Sequence, residues 1–76
     1  MMFKAGNLLK NKVNSGLWLV EGIYPHKGPK FKLRMDAICV QPGTSRVNYP
    51  GSHDSWFCRQ EDGSDRYNMW EVINEV

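Results

Sequence analysis

Four side chains of this 76-residue chain could ligate a metal ion or act as a nucleophile and its base. They are Cys39, Cys58, His26 and His53. Zinc sites are typically built from close ligand pairs such as C-x2-C or H-x3-H, whereas the two cysteines are separated by 19 positions and no pair of this kind exists. The sequence therefore predicts no metal site and no cofactor.

His53, Asp54 and Cys58 together contain the groups of a thiol nucleophile with its base. Such a thiol needs a helix N-terminus or an electropositive pocket that lowers its pKa, and a cleft that holds substrate. The pattern indicates neither, so we expect no catalytic residue and no enzymatic activity. The carboxylates around Gly63 are typical of a polar turn, because a calcium loop needs a longer ligand series. They are Glu61, Asp62 and Asp65.

The elements that must position these groups are strands, and the clearest runs from Phe31 to Val40. Its apolar residues alternate with Lys32, Arg34 and Asp36. This period of two predicts a central strand with one dry and one wet face. Cys39 falls on the dry face, so we expect a buried thiol and no disulfide with Cys58. At Ile38 and Val40 the second face turns apolar, which predicts that this end is covered on both sides.

Two earlier segments, Leu8 to Val13 and Leu17 to Tyr24, favour strands joined by a short turn at Asn14-Ser15-Gly16. Gly6 permits a tight turn before the first segment, and Gly22 predicts a bulge or bend within the second. Strict alternation in the second places Leu17, Leu19 and Ile23 on one face and Trp18, Val20 and Tyr24 on the other.

In the second half, residues 45–49 fit a short edge strand, and residues 55–60 and 66–73 fit a hairpin around Asp62-Gly63. The last segment also fits a helical stripe with Ser64 or Asp65 as its N-cap. Five or six short antiparallel strands with, at most, a C-terminal helical turn indicate an all-β barrel. An α+β sheet with a C-terminal helix is the alternative.

Composition indicates one folded domain, residues 1–76, because 41% of residues are hydrophobic and 12% aromatic. No apolar run approaches the roughly 20 residues that span a bilayer, and the N-terminal residues lack the continuous apolar region of a signal peptide. We therefore expect a cytoplasmic protein with no membrane contact.

Residues 3–24 resemble the opening of small SH3-like β-barrels, including the KOW type and many short bacteriophage and plasmid proteins. The resemblance lies in F-K-x-G-[DN]-L-x-x-x-K, a turn that ends in glycine, and then L-W-x-V-x-x-I. Asn7 stands where those barrels usually carry Asp. The resemblance implies a binding module for nucleic acid, protein or peptide, and an accessory protein of a phage or other mobile element.

Positive charge is concentrated in the first half of the chain, above all in the loop and strand of residues 26–34. The cationic and aromatic residues proposed for a site in and beside this stretch are Tyr24, His26, Lys27, Lys30, Lys32 and Arg34. Cations hold phosphates and rings stack bases, so this stretch is a candidate site for RNA or single-stranded DNA. The alternative interpretation is a solubilising loop.

The three tryptophans and three tyrosines exceed what one small core can fully bury, so we expect some of these rings to be partly exposed. Exposed aromatic residues beside arginine are typical of protein-binding surfaces. The second predicted hairpin supplies Trp56, Arg59, Tyr67 and Trp70. We accordingly expect a non-catalytic module that binds, and inhibits or recruits, a host protein, with nucleic-acid binding as the alternative.

Overall fold

The computed structural model describes residues 3–44, 48–60 and 69–74. This part of the chain contains five strands and no helix. The strands are β1 (Leu8–Asn11), β2 (Leu17–Pro25), β3 (Leu33–Gln41), β4 (His53–Cys58) and β5 (Trp70–Val72). They form one antiparallel sheet in the order β4-β3-β2-β1-β5, an open meander whose fifth strand returns beside the first. The all-β prediction is confirmed.

The alternating apolar residues that predicted a strand after Phe31 form the inward face of β3. Leu33, Met35, Ala37 and Cys39 are 8, 0, 0 and 2% exposed. Two details differ from the prediction. The middle strand of the sheet is β2 rather than β3. Val40 is 48% exposed, so that end of β3 is not covered on both faces.

Strand β2 contains the predicted bulge. Val20 lies opposite Ala37 and Gly22 opposite Asp36, so Glu21 is an extra residue in the pairing. One extra residue reverses the side-chain alternation beyond it. Ile23 therefore packs against the core with Trp18 and Val20, while Tyr24 turns to the outer face, and the strict alternation expected from the sequence is wrong after Gly22.

The predicted second hairpin is wrong. β4 pairs with β3 and β5 pairs with β1, so these two strands form opposite edges of the sheet. β5 is a strand and not a helix over Trp70–Val72, whereas residues 66–68 and the Asp-Gly turn lie outside the described residues. Of the possible edge strand at 45–49, residues 45–47 also lie outside them, and Asn48 and Tyr49 are not in a strand.

Three tryptophans fill the centre of the curled sheet. The Trp18 ring centroid is 4.9 Å from that of Trp56 and 6.5 Å from that of Trp70, and the last two are 5.0 Å apart. Since Trp56 is on β4 and Trp70 on β5, the two edge strands meet through their side chains, although no backbone ladder joins them. The Trp70 indole Nε1 is buried without a hydrogen-bond partner among the described atoms.

Asparagine side chains hold the short strands β1 and β5 together. The backbone amide of Leu8 donates to Asn74 Oδ1 at 2.5 Å, and Asn74 Nδ2 donates to the Gly6 carbonyl at 3.2 Å. The buried Asn7 side chain accepts from the Lys4 amide and donates to the Asn74 carbonyl. Gly6 has the positive φ, 91°, that the predicted turn requires.

Candidate functional site

One end of the sheet carries a row of side chains that crosses three strands on the outer face. Arg34 on β3 is the register partner of Tyr24 on β2 and of Phe57 on β4. The bulge in β2 is what turns Tyr24 to this face. The Arg34 guanidinium carbon lies 4.8 Å from the centroid of the Tyr24 ring, within the range of a cation–π contact.

Arg34 is fixed in this position by acceptors on the same face. Its Nε lies 3.2 Å from Asp36 Oδ1, and its Nη2 donates to Asp36 Oδ2 at 3.3 Å. Asp36 Oδ1 also accepts from the Ser55 hydroxyl at 2.7 Å. The planar guanidinium is therefore held beside the Tyr24 ring, with its charge largely balanced by Asp36.

The loop between β2 and β3 continues this row with further rings. His26 and Phe31 both pack against Phe57, with centroid distances of 5.0 and 5.6 Å. The loop is closed at its base because the His26 amide donates to the Lys32 carbonyl at 3.0 Å. The Lys32 amide donates to the Cys58 carbonyl at 2.8 Å, which ties the loop to β4.

Three lysines surround the rings. Lys27, Lys30 and Lys32 are exposed, and Lys30 Nζ lies 5.5 Å from the Phe31 ring centroid. Within residues 3–44, 48–60 and 69–74, none of the three pairs with a carboxylate. We call Tyr24, His26, Phe31, Arg34 and Phe57 together with these lysines the ring–lysine surface. It brings together every residue that the sequence predicted for nucleic-acid binding.

Phe31 and Phe57 were missing from the predicted site residues. The strand pattern of β4 contains the signal for Phe57, because it alternates with Trp56 and Cys58, which face inward. What the sequence could not provide is the pairing of β4 with β3, which places Phe57 beside Arg34.

The residues predicted to bind a protein partner are not gathered on one exposed surface. Trp70 is only 3% exposed, so the expectation of an exposed indole is wrong for this residue, whereas Trp56 is half-buried and packs against the core. Arg59 is exposed just after β4. Tyr67 lies outside the described residues.

The strand geometry separates the groups that could have made a nucleophile or metal site. His53 faces outward beside Ile38 and Cys58 inward beside Leu33, at opposite ends of β4 and about 17 Å apart. Cys39 and Cys58 are both buried and free. Cys58 is the register partner of Leu33, which is six positions, or about 20 Å, before Cys39 along β3. His53 Nδ1 instead lies 2.6 Å from Glu21 Oε1.

Burial raises the pKa of the Cys39 thiol above its ordinary value, and a hydrogen bond with Ser52 works in the opposite direction. A raised pKa favours the protonated thiol, which is a poor nucleophile. Among the described residues, no three His, Cys, Asp or Glu side chains are grouped so that they could hold a metal ion.

Comparison of the chain with protein-family models, with curated proteins and with solved structures finds no match. In the part of the chain that the structure describes, no helix has the length and apolar character needed to cross a membrane.

Proposed function

We propose that this protein is a non-catalytic binding module that holds single-stranded nucleic acid, RNA or single-stranded DNA, on the ring–lysine surface. The observation that carries the proposal is the row Tyr24–Arg34–Phe57, where two rings and a flat guanidinium stand side by side on a sheet and lysines surround them. Unpaired bases can stack on such rings and on a planar guanidinium, whereas the faces of duplex bases are already stacked on neighbouring base pairs.

Two kinds of side chain make different contacts with the nucleic acid. Arg34 is neutralised by Asp36, so it serves as a stacking plane more than as a phosphate ligand. Phosphate contacts are left to Lys27, Lys30 and Lys32. About three neutralised phosphates on a single strand give a slope of log affinity against log salt of about −2.

The resemblance of residues 3–24 to SH3-like barrels supports a binding module, because four strands in a meander with a fifth returning to the first suit a small curled barrel. A phage or mobile-element accessory protein that acts on a host protein is the second candidate. Exposed Arg59 favours this second candidate. Trp56 and Trp70 turn to the core and offer little surface to a protein partner, so we prefer nucleic-acid binding.

The test is fluorescence anisotropy with a labelled mixed-sequence RNA, the same sequence as DNA, and the corresponding duplex, each about 12 nucleotides long. We expect both single strands to bind more tightly than the duplex. Raising monovalent salt from about 50 to about 200 mM should weaken binding about 20-fold. Changing Lys27, Lys30 and Lys32 to Ser should abolish binding, and Tyr24→Ala should weaken it about tenfold through lost stacking.

The matched control changes Lys4, Lys10 and Lys12 to Ser, which removes the same charge from elsewhere on the surface. This control should retain most of the affinity, because general attraction to a polyanion is only part of the binding. Equal losses in the two triple variants, or no binding to either single strand at about 50 mM salt, would contradict the proposal.

A further inference from the structure

A second surface, independent of the ring–lysine surface, runs across the outer face of the sheet. Leu19 on β2 is the register partner of Ile38 on β3 and of Leu8 on β1. The Ile73 amide donates to the Leu8 carbonyl, which places Ile73 next in this line. Leu17 lies one outward position further along β2, and Val40 is an extra residue of β3 between the partners of Leu17 and Trp18. We call these six residues the apolar strip.

The strip is exposed where an isolated domain would be expected to carry polar residues. Leu19, Val40 and Ile73 are 37, 48 and 50% exposed. Single exposed apolar residues are ordinary on protein surfaces, whereas a continuous line over three neighbouring strands and the residue after a fourth is a feature of contact surfaces. In one half of the molecule the outer face therefore resembles the inner face of a sandwich.

We propose that the apolar strip is the interface of a homodimer in which the outer faces of two copies pack sheet against sheet. A sheet with apolar residues on both faces needs a second layer, and a second sheet about 10 Å away supplies it. The strip lies at one end of the outer face, so the interface is smaller than the roughly 800 Å² per partner of a standard interface. The dimer should accordingly be weak, with a dissociation constant of tens of micromolar.

Charges beside the strip fit a second copy of the same chain. Lys10, the register partner of Leu17 and of Glu71, lies at one border of the strip, and Glu21, whose carboxylate contacts His53, lies at the other. A two-fold axis along the strip places the Lys10 side of one copy over the Glu21 side of its partner. The net charge of +2 adds little repulsion between copies.

The dimer leaves the ring–lysine surface accessible. Along β3, Arg34 is four residues from Ile38, a distance of about 13 Å towards the other end of the sheet. The two proposals can therefore fail separately, since one concerns self-association without nucleic acid and the other concerns binding to it.

The test is sedimentation equilibrium of the protein without nucleic acid from about 5 to about 500 μM, a range that brackets the expected dissociation constant. We expect a shift from the 8.8 kDa monomer towards twice that mass. Leu19→Asp should weaken dimerisation at least about tenfold, because it places a charge in the centre of the strip. Val13→Asp is the control, since Val13 is 83% exposed but lies in the β1–β2 turn, and it should leave the dissociation constant unchanged.

A charge exchange distinguishes the proposed two-fold arrangement from unspecific apolar association. Lys10→Glu and Glu21→Lys should each weaken the dimer, and the double variant should regain most of the parent affinity, because the opposite charges face each other again. A monomer throughout the concentration range, or Leu19→Asp and Val13→Asp with the same effect, would overturn the proposal. Far-ultraviolet circular dichroism of each variant establishes that it is folded.

Discussion

The function of Arg34 depends on its neighbours more than on its charge. Read from the sequence, it is one of four cations that could hold phosphates. In the structure Asp36 balances it and Tyr24 lies beneath it, so it becomes a surface for stacking. The spacing contains this information, because residues two apart in a strand share a face and Arg34–Asp36 is such a pair.

Cys39 provides a prediction on pH at the same scale. Its folded pKa is raised by burial, so folding favours the protonated thiol and this contribution to stability is complete below the ordinary cysteine pKa of about 8.5. It is lost as pH rises through the folded pKa. We expect the unfolding free energy to fall more steeply above the ordinary cysteine pKa of about 8.5 in the parent than in Cys39→Ala, as measured by urea unfolding.

Ser52→Ala is the matched control for this experiment. The Ser52 hydrogen bond opposes the effect of burial on the Cys39 pKa, so its loss should make the decline at alkaline pH steeper. Parallel curves for the parent and Cys39→Ala would show that the thiol contributes nothing to the alkaline response.

Strand β2 shows how a single residue sets the surface of an element. The bulge at Glu21 sends Ile23 into the core and Tyr24 onto the outer face. The Tyr24 ring then folds back over Gly22, because a Cβ on Gly22 would overlap the phenol end of that ring. A glycine covered by an aromatic ring is a recognised arrangement in curved sheets.

Gly22→Ala tests this arrangement. The added methyl group should displace the Tyr24 ring from Gly22 and from Arg34, so affinity for single strands should fall about as far as in Tyr24→Ala, roughly tenfold. Gly22→Ala in a Tyr24→Ala background should have little further effect, since the ring that the methyl group would meet is absent. Additive losses of affinity in the double variant would show that the two residues act independently.

The sequence predicted local elements well and their long-range pairing poorly. Alternation located β3, a glycine located the bulge and Asn-Ser-Gly located the β1–β2 turn, where Ser15 has a φ of 63°. All of these depend on neighbours in the chain. Pairing of β4 with β3 and of β5 with β1 depends on the curl of the whole sheet, which no short pattern contains. For the same reason, the sequence did not predict Phe57 as a site residue and predicted Trp70 to be exposed.

For the molecule as a whole, the three tryptophans replace the hydrogen bonds that would close a barrel. Trp56 and Trp70 join the edge strands through their rings, and Trp18 on β2 packs against both. The short strand β5 therefore contributes to stability mainly through Trp70, with the Asn74 hydrogen bonds at its end.

Trp70→Ala should destabilise the domain by about 3–5 kcal/mol, because it removes a large ring from the centre of the core. This is a large fraction of the stability of a domain of such size, so we expect the variant to unfold at a much lower urea concentration than the parent. The neighbouring change Glu71→Ala alters an exposed side chain on the same strand and should change the unfolding free energy by less than about 0.5 kcal/mol. Urea unfolding followed by circular dichroism measures both, and a Trp70→Ala variant as stable as Glu71→Ala would refute this account of the core.

The bulge in β2 also limits how this chain can change over evolutionary time. Losing Glu21 alone would remove the bulge and leave the other residues of β2 on their present faces, because Glu21 is the residue without a register partner. A single-codon deletion of a paired residue such as Ile23 would instead turn the residues after it to the opposite face, and it would damage the interior and the outer face at once. Descendants of this protein should therefore keep the length of β2 constant except at the bulge, even where its outward-facing residues diverge.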